Sequence, residues 1–390
     1  MINPSSSNGV KNVAILGSTG SIGRSTLEVI RHLPGFQVIG LSGHSNCELL
    51  AAQAREFQPK YVVATDENAK ARLSMSGLSK TQLLEGADAL ERLAADPEVD
   101  IVVAAIVGIA GLPSTWAALA AGKTVALANK ETLVVAGELM TRLAAESGAT
   151  ILPVDSEHSA VFQVLNCGNR SEVRKVVLTA SGGPFREYSK EQLQQVTVEQ
   201  ALDHPTWHMG PKISVDSATM MNKSLEIIEA RWLFHLKPEQ IGVVIHPQSI
   251  VHSLVEFQDG STIAQLSPPD MKLPIQYALT WPDRVVGTSP RLELSQALRL
   301  DFQPPDLSRF PALQLGFEAV KWGGTSGAVL NAANEAAVAL FLNREIEFTE
   351  IATACREVLE QHHFEPHPTL DQLRAADQWA RREISKWMVA

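Results

Sequence analysis

The sequence contains few cysteines, and they are not paired. Its 390 residues include only Cys47, Cys167 and Cys355, which are far apart and show no regular spacing. A disulfide framework and a zinc-binding knuckle both need cysteines at short intervals, so neither is expected. Isolated thiols are typical of a reducing compartment, and we therefore expect a cytoplasmic protein.

Positive charge is also scarce. Lys and Arg number 33 against 43 for Asp and Glu, which gives a formal net charge of −10. Nonspecific binding to nucleic acid or to anionic membranes needs an excess of positive charge, because counterion release provides the affinity. We therefore expect no nucleic acid or membrane partner, and a few local groups must hold any anionic substrate.

Long apolar runs are absent as well. The longest run, 101–112, is interrupted by Gly108 and Gly111 and is shorter than the roughly 20 residues of a membrane-spanning helix. The first nine residues are polar and show no apolar signal-peptide core. With 45% hydrophobic residues and a length that exceeds one ordinary core, the chain is expected to fold into two or three domains.

Residues 12–153 alternate short β-branched runs with helical patterns. The runs are 13–16, 38–41, 61–64, 101–104, 124–127 and 151–152. Continuously apolar strands separated by helices are typical of a parallel sheet that is covered on both faces. The pattern predicts an α/β fold with an N-terminal Rossmann-like, doubly wound parallel sheet. Loops that follow the strands of such a sheet share one edge, where ligands bind.

The remaining sequence predicts an α+β domain and then a C-terminal helical bundle. A long helical segment near 217–235 precedes a hairpin formed by 249–257 and 262–266. Prolines punctuate 282–311, which is typical of a connecting stretch. From Ala312 onward, Ala, Glu and Leu recur at helical spacing.

A glycine-rich loop directly follows the first predicted strand. Its sequence is Gly17-Ser18-Thr19-Gly20-Ser21-Ile22-Gly23, and a helical pattern covers 25–33. Glycines let the backbone turn sharply and approach a pyrophosphate, while the first N–H groups of the helix supply positive charge. The spacing differs from the usual dinucleotide fingerprint, so a tight turn without a ligand is the alternative. Strand, loop and helix in this order favour a phosphate-binding loop.

The end of the second predicted strand favours NADP over NAD. NAD sites usually place Asp or Glu there to hold the ribose hydroxyls, and such a carboxylate repels a 2′-phosphate. Here 42–46 read Ser-Gly-His-Ser-Asn and contain no acid. His44, Ser45 and Asn46 offer hydrogen bonds to a phosphate, although no Arg or Lys is present and a solvated loop is the alternative.

Charged residues follow two later strands of the same region. Lys130 and Glu131 come after the strand 124–127, and Asp155 and Glu157 come after the next strand. Both pairs are expected at the ligand edge of the sheet. Neighbouring carboxylates suit a hard cation such as Mg²⁺ or Mn²⁺, and no thiolate or paired imidazole competes nearby. Without a third ligand, a solvated loop is the better interpretation.

The candidate for the third ligand lies on the helical segment that begins near Ser217. An apolar stripe predicts its buried face: Met221, Leu225, Ile228 and Trp232. Asn222, Lys223 and Glu226 then share another face, where an amide, an ammonium and a carboxylate come together. An ordinary amphipathic helix with ion pairs on its surface is the alternative.

Two further segments have the composition of a substrate site. Ser181-Gly182-Gly183 ends another predicted strand and offers a hydroxyl with backbone donors, which suits a phosphate monoester. The segment 204–211 combines prolines and a glycine with Trp207 in a polar stretch. Such a segment is able to close over a substrate and exclude water. A tryptophan that only anchors a loop is the alternative.

These segments resemble the 1-deoxy-D-xylulose 5-phosphate reductoisomerase family, whose members make 2-C-methyl-D-erythritol 4-phosphate in non-mevalonate isoprenoid synthesis. Several blocks spread along the chain carry the resemblance. They are 17–23, Ala104-Ala105-Ile106-Val107-Gly108, Leu127-Ala128-Asn129-Lys130-Glu131, Pro153-Val154-Asp155-Ser156-Glu157-His158, Ser181-Gly182-Gly183-Pro184-Phe185-Arg186, 212–226 and Leu330-Asn331-Ala332-Ala333-Asn334-Glu335.

The resemblance implies an assembly and a reaction. It implies a homodimer whose chains have an NADP-binding domain at 1–153, a catalytic metal and substrate domain with a lid loop at 154–284, a linker at 285–311 and a C-terminal helical domain at 312–390. The implied enzyme is an NADP-dependent oxidoreductase acting on a CH-OH group. With NADPH and Mg²⁺ or Mn²⁺, it rearranges and reduces a small phosphorylated ketose, 1-deoxy-D-xylulose 5-phosphate.

The resemblance also implies roles for individual residues. The implied metal ligands are Asp155, Glu157 and Glu226, which are the implied catalytic residues together with Lys130. The implied substrate-binding residues are Lys130, Ser156, Glu157, Ser181, His204, Trp207, Met209, Ser217, Asn222, Lys223 and Glu226. The implied NADP-binding residues are Gly17, Thr19, Gly20, Ser21, Ile22, Asn46, Asn129, Glu131 and Gly210.

The chain departs from the family pattern in two places. His44 and Ser45 stand where the family usually has Gly followed by Lys, Arg or Ser, so we expect them to influence the preference for NADP over NAD. His208 stands where a smaller or more polar residue is commoner, and we expect it to affect closure of the lid loop.

Two other functions compete with this interpretation. A plain NADP dehydrogenase of a sugar phosphate or an amino-acid semialdehyde would reduce its substrate without rearrangement. A semialdehyde dehydrogenase that forms an acyl-enzyme needs an activated cysteine, and Cys167 lies in no such context. A cofactor-binding redox sensor without turnover would not need the three carboxylates.

Overall fold

The computed structural model of the chain describes residues 9–66, 68, 71–207 and 209–387, so His208 lies outside the described residues. The chain forms two compact units, each assembled from separate stretches of sequence. The first unit contains the described part of Met1–Asn129 with Arg142–Val154 and Met271–Ser289. The second contains Lys130–Thr141, Asp155–Asp270 and the described part of Pro290–Ala390.

Strands and helices alternate in the N-terminal third of the chain, and helices dominate the C-terminal third. The strands are β1 (Lys11–Leu16), β2 (Phe36–Gly43), β3 (Tyr61–Ala64), β4 (Gln82–Leu84), β5 (Ile101–Ala104), β6 (Thr124–Leu127), β7 (Thr150–Pro153), β8 (Val173–Ala180), β9 (Ile241–Ile245), β10 (Val251–Phe257) and β11 (Thr262–Leu266). The helices are α1 (Ser21–His32), α2 (Cys47–Phe57), α3 (Ala89–Ala95), α4 (Leu112–Ala120), α5 (Lys130–Ser147), α6 (Ser156–Leu165), α7 (Lys190–Leu193), α8 (Val198–Leu202), α9 (Pro211–Thr219), α10 (Met221–Phe234), α11 (Lys272–Thr280), α12 (Ala312–Trp322), α13 (Ser326–Leu342), α14 (Glu350–Gln361) and α15 (Leu370–Trp387).

The first unit is built on a parallel sheet. Its strand order is β4-β3-β2-β1-β5-β6-β7, and each neighbouring pair is parallel, which confirms the predicted doubly wound sheet. The order reverses between β1 and β5, and ligands of open α/β sheets bind beside such a reversal. The sequence does not predict edge strand β4, because its three partly exposed residues are too few to show a period.

Helix α11 belongs to the first unit, although it lies far along the chain. It packs against α1 and against strands β6 and β7. The Lys272 Nζ lies 2.8 Å from Glu28 Oε1 and joins α11 to α1. The helix therefore covers part of one face of the parallel sheet.

The second unit contains a mixed sheet with the order β11-β10-β8-β9. β10 runs antiparallel to β8 and β11, whereas β8 and β9 are parallel. The predicted hairpin is confirmed as β10 and β11. Helix α6 packs against β10 and β11, and the C-terminal helices join the core of this sheet through buried side chains such as Val176, Leu225 and Leu330.

The prediction of one long helical segment near 217–235 is wrong in one respect. The structure has two helices there, α9 and α10, because Met220 between them adopts a left-handed conformation with φ of 67°. That conformation costs a residue other than glycine about 1–2 kcal/mol. The Met220 side chain is buried, and this burial offsets the cost. No glycine or proline marks the break, so the helical pattern in the sequence continues through it.

The predicted C-terminal helices are confirmed as α12 to α15. The boundaries predicted at 153/154, 284/285 and 311/312 stay predictions about domain organisation. Within the described residues, none of the helices combines the length and the apolar character that a membrane crossing requires.

Candidate active site

The glycine loop of the first unit has backbone geometry that only small residues allow. Gly17 has φ of 88°, and a Cβ atom there would lie 2.8 Å from the carbonyl oxygen of Ala105. A Cβ atom at Gly23 would lie 2.4 Å from the carbonyl oxygen of Gly17. Helix α1 begins at Ser21, and no side chain of its N-cap residue, Gly20, satisfies the first N–H groups. These donors and the close packing suit a phosphate group.

The loop after β2 holds the residues that the sequence connects with NADP. The Asn46 side chain accepts a hydrogen bond from the Leu49 N–H at 3.1 Å and caps helix α2. His44 Nδ1 lies 2.9 Å from the Thr65 hydroxyl. His44, Ser45 and Asn46 are all exposed, and in this structure Asn46 serves as a helix cap.

Asn129, predicted to contact NADP, supports a neighbouring loop of the first unit. Its side chain is buried and donates to the carbonyl oxygen of Gly108 at 2.8 Å and to that of Ile106. The amide also lies against Gly111, where a Cβ atom would come within 2.5 Å of Asn129 Nδ2. Asn129 therefore holds the segment that follows β5.

The second unit brings the three predicted carboxylates together. One oxygen atom each of Asp155, Glu157 and Glu226 lies within 4.8 Å of the other two. Asp155 is the N-cap of α6 and accepts hydrogen bonds from the Glu157 and His158 N–H groups. Glu226 projects from α10 and is fully buried. The alternative of an amphipathic helix with ion pairs on its surface is therefore wrong for Glu226.

Two lysines lie among these carboxylates. Lys130 Nζ lies 2.9 Å from Asp155 Oδ2 and 2.7 Å from Glu226 Oε1. Lys223 Nζ lies 3.1 Å from Glu157 Oε1 and also pairs with Glu226. The Asn222 amide donates to Glu226 Oε1 at 2.6 Å, so the predicted grouping of Asn222, Lys223 and Glu226 is present.

Burial and the neighbouring charges shift the pKa values of the residues in this cluster. Burial opposes ionisation of Asp155, but the nearby positive groups, Lys130 foremost and then His158 and Lys223, together outweigh it and lower the pKa of Asp155 far below its usual range. Burial raises the pKa of Glu157 to about 7, which the Lys223 ammonium offsets only in part. Burial would lower the pKa of Lys130, but Asp155 and Glu226 raise it well above its usual value.

The donor set of the cluster fits a hard divalent cation. The three carboxylates offer oxygen ligands, which Mg²⁺ and Mn²⁺ prefer. Their mutual distances of up to 4.8 Å match ligands placed about 2.0–2.6 Å from a shared ion. The three carboxyl groups also outnumber the two amino groups of Lys130 and Lys223. The cluster is therefore a candidate metal centre.

Two buried residues, His158 and Glu229, lie next to the acidic cluster, and the sequence analysis does not predict their role. His158 Nδ1 lies 3.0 Å from Glu229 Oε2 and 3.5 Å from Asp155 Oδ1, while Nε2 lies 3.1 Å from the Glu226 carbonyl oxygen. Burial opposes the charge on His158, but the nearby carboxylates, Glu229 foremost, together overcome it and raise the pKa of His158 to about 9. Glu229 is one helical turn beyond Glu226, and this spacing is the only signal in the sequence.

A second group of predicted residues lies around the turn after β8. The Ser181 hydroxyl oxygen accepts a hydrogen bond from the Gly183 N–H at 3.1 Å and lies 3.0 Å from His204 Nε2. A Cβ atom at Gly183 would lie 2.6 Å from the carbonyl oxygen of Ser217, so the turn packs against α9. The structure thus brings Ser181, His204 and Ser217 to one place.

The remaining predicted residues differ in their surroundings. The Ser156 hydroxyl donates to Glu157 Oε2 at 2.5 Å and belongs to the acidic cluster. Trp207 and Met209 are half-buried, and Gly210 is exposed at the start of α9. The predicted closing movement of this loop stays a prediction.

Glu131 belongs to a separate buried network that the sequence does not reveal. Lys212 Nζ lies 2.8 Å from Glu131 Oε1 and 2.9 Å from Asp216 Oδ2. The Asn334 amide donates to Asp216 Oδ1 at 2.8 Å and joins α13 to α9. Burial opposes ionisation of Glu131, but Lys212 lowers its pKa below the usual value.

Three segments that make up most of the chain match known protein families. Residues 13–137 match the family described as 1-deoxy-D-xylulose 5-phosphate reductoisomerase. Residues 151–234 match its C-terminal domain, and residues 266–383 match a further domain described as DXP reductoisomerase C-terminal domain. The chain belongs to the 1-deoxy-D-xylulose 5-phosphate reductoisomerase family.

Curated members of this family are similar over their full length. The 1-deoxy-D-xylulose 5-phosphate reductoisomerase of Pelotomaculum thermopropionicum is 54% identical over 375 residues, which cover 95% of this chain and 97% of the relative. The enzyme of Chlorobium chlorochromatii is also 54% identical, over 95% of this chain and 98% of its own. The predicted family is therefore confirmed.

Solved structures of the family have the same fold. A DOX-P reductoisomerase in complex with NADPH, fosmidomycin and magnesium is 43% identical, with a TM-score of 0.91 over 97% of this chain and 98% of its own. The Zymomonas mobilis enzyme in complex with NADPH is 45% identical, with a TM-score of 0.90 over 97% of this chain and 99% of its own. These matches confirm the predicted fold class.

Proposed function

We propose that this chain catalyses the rearrangement and reduction of 1-deoxy-D-xylulose 5-phosphate to 2-C-methyl-D-erythritol 4-phosphate in non-mevalonate isoprenoid biosynthesis, and that it requires NADPH and a divalent metal ion. The observation that carries the proposal is the buried convergence of Asp155, Glu157 and Glu226 within 4.8 Å. Family membership supports it, as do family structures described as complexes with NADPH and magnesium.

Asp155, Glu157 and Glu226 are the proposed ligands of Mg²⁺ or Mn²⁺. When bound, the cation supplies Lewis acidity at the ketose oxygens, and NADPH supplies the hydride. His158 supports two of the ligands, since its ring contacts the Asp155 carboxylate and the backbone of Glu226. Ligands held in this way lose little conformational freedom when they bind an ion.

Lys130 and Ser156 are the proposed contacts to the ketose oxygens. Lys130 is nearly fully buried and keeps its positive charge, because it lies between Asp155 and Glu226. A buried ammonium stabilises negative charge on a substrate oxygen more strongly than one in water does. Lys130 is therefore the proposed catalytic residue that is not a metal ligand.

The phosphate group of the substrate is assigned to a site formed by neutral polar residues and one ammonium. The proposed residues are Ser181, His204, Ser217, Asn222 and Lys223. Binding energy from a phosphate distant from the reacting carbons assists the chemical step by orienting the substrate. Trp207 and Met209 are proposed to cover the bound substrate and to exclude water.

The proposed NADP contacts of the first unit are Gly17, Thr19, Gly20, Ser21, Ile22, Asn46 and Asn129. The geometry of Gly17 and Gly23 and the uncapped start of α1 support this assignment. The NADP contacts predicted for Glu131 and Gly210 stay predictions. Neither Lys nor Arg stands at positions 44 and 45, so hydrogen bonding is the proposed basis of the preference for NADP.

A homodimer and a cytoplasmic location complete the proposal. β11 is an edge strand of the second sheet and exposes Ile263 (37%) and Leu266 (39%). Exposed apolar side chains on an edge strand favour pairing with another chain, and a second copy is the proposed partner. The three free cysteines support the reducing environment of the cytoplasm.

Absorbance at the nicotinamide band tests the function directly. With 1-deoxy-D-xylulose 5-phosphate present, we expect NADPH oxidation that stops on addition of a chelator and resumes with Mg²⁺ or Mn²⁺. NMR of the product then identifies the carbon skeleton. Reduction without rearrangement would support a plain dehydrogenase, and NADPH binding without turnover would support a redox sensor.

A further inference from the structure

The two ring nitrogens of His204 have different partners. Nδ1 lies 3.1 Å from the backbone nitrogen of Thr206 and 3.0 Å from that of Trp207. Nε2 lies 3.0 Å from the hydroxyl oxygen of Ser181. The side chain is only 7% exposed, so water does not compete strongly for either nitrogen. One ring thus contacts both the start of the loop 204–207 and the turn after β8.

The two backbone amides determine which nitrogen carries the proton. An amide N–H can only donate, so Nδ1 must accept from Thr206 and Trp207 and is unprotonated. Burial lowers the pKa of His204, and the positive charge of Arg186 lowers it further. The ring is therefore neutral at pH 7, with its proton on Nε2. That N–H donates to Ser181 Oγ.

The hydroxyl of Ser181 is thereby left with one function. Its oxygen accepts from His204 Nε2–H and also from the Gly183 N–H at 3.1 Å. Both lone pairs are occupied, so the hydroxyl can act only as a donor. A donor suits a phosphate oxygen, and Ser181 is half-buried rather than enclosed.

We propose that His204 is a positioning residue that divides two tasks between its ring nitrogens. Nδ1 holds the backbone of Thr206 and Trp207, and Nε2 orients the Ser181 hydroxyl as a donor to the substrate's phosphate. This inference rests on the proposed function, because it takes the anion at Ser181 to be that phosphate. His204 therefore belongs to the proposed phosphate site through Ser181 rather than by direct contact with the phosphate, and it does not need to carry a positive charge.

Two substitutions separate the tasks. In His204→Asn, the side-chain carbonyl takes the place of Nδ1 and no group reaches Ser181. In His204→Gln, the amide nitrogen reaches the position of Nε2 and no acceptor remains at Nδ1. Hydrogen exchange of the Thr206 and Trp207 amides reports on the loop. Competitive inhibition by inorganic phosphate reports on the phosphate site.

Opposite results are expected for the two variants. His204→Asn should keep the amide protection and weaken inhibition by inorganic phosphate about tenfold, because one oriented hydrogen bond is lost. The KM for the ketose phosphate should rise with little change in kcat. His204→Gln should keep inhibition within about twofold and accelerate exchange of the two amides about tenfold. Equal changes in both properties for both variants would overturn the proposal, since that result indicates a space-filling role.

The unmodified protein gives an independent test if either variant fails to fold. Imidazole ¹⁵N chemical shifts of His204 should show an unprotonated Nδ1 and a protonated Nε2. The other tautomer, or a charged ring at pH 7, would contradict the inference.

Ser181→Ala separates this inference from the proposed function. If inorganic phosphate inhibits this variant as well as the unmodified protein, the phosphate role of Ser181 is wrong. The positioning inference then fails with it, although the contacts of His204 with Thr206, Trp207 and Ser181 remain. If inhibition weakens in Ser181→Ala, the two His204 variants decide the question.

Discussion

In the glycine loop of the first unit the backbone forms the candidate binding surface, whereas in the acidic cluster of the second unit the side chains do. Gly17 and Gly23 act by having no side chain, since a Cβ atom at either position would collide with the backbone. Asp155, Glu157 and Glu226 act through their carboxylates. A backbone site arises within one short segment of sequence, but a side-chain site needs segments that are distant along the chain.

The two sites also differ in the charges that they contain. The glycine loop exposes N–H groups at the start of α1, and these carry only partial charges. The acidic cluster buries full charges of both signs, and removal of one partner leaves another uncompensated. Single substitutions in the cluster should therefore have larger effects than those in the loop.

The largest expected effect is that of Glu226→Gln. The amide removes one proposed metal ligand and one partner of Lys130, so metal-dependent NADPH oxidation should fall about a thousandfold. NADPH binding, measured by fluorescence titration, should stay within about twofold, because the glycine loop is unchanged. The exposed Glu239→Gln serves as the control. Turnover near that of the unmodified protein at limiting metal would refute the site.

A methyl group in the glycine loop should have the next largest effect. In Gly23→Ala the new Cβ would lie 2.4 Å from the Gly17 carbonyl oxygen, so the loop must shift. We expect the Kd for NADPH to rise about 10- to 100-fold, which corresponds to the usual cost of overpacking. Gly9→Ala is the matched control, because nothing lies within 4 Å of its Cβ position. Unchanged NADPH affinity in Gly23→Ala would show that this loop does not bind the cofactor.

Acid should destabilise the second unit through His252. Burial lowers the pKa of His252 to about 4. Below its pKa of about 6.5 in the unfolded chain, only the unfolded state takes up the proton, so stability falls as the pH decreases from about 6.5 to about 4. This contribution is about 2 kcal/mol between pH 7 and pH 5.

Denaturant unfolding at the two pH values measures this effect. His252→Asn should lose that part of the pH dependence, although it also lowers stability at pH 7 because the contact with Ser267 is lost. An identical pH dependence in His252→Asn would disprove the assignment.

The smallest expected effect concerns the edge of the second sheet. Ile263→Lys places a charge on the exposed face of β11 and should weaken self-association about tenfold, as analytical ultracentrifugation would measure. Gln258→Lys, in the exposed turn before β11, provides a control. A monomeric unmodified protein would disprove the proposed dimer.

Much of the fold follows from local sequence. The strands β1, β2, β3, β5, β6 and β7 coincide with β-branched runs, and the hairpin coincides with a turn at Asp259-Gly260. The break at Met220 does not follow, because it depends on burial of that side chain rather than on a local turn residue. β4 was too short to produce a pattern.

The contacts of the candidate site also follow only in part from local sequence. The spacing of Asn222, Lys223 and Glu226 on one helix predicts their contact, and the structure contains it. By contrast, Lys130 reaches Glu226 across 96 residues of sequence. No local pattern predicts such a contact.

By itself, the sequence determined most of the helices and strands, the glycine loop and the residue types of the candidate metal centre, because helix and strand periods and glycine geometry act over a few residues. Only the tertiary structure decided which charges pair: Lys130 with Asp155 and Glu226, and His158 with Glu229. Burial makes these pairings strong, and burial is a property of the packed chain rather than of any one segment.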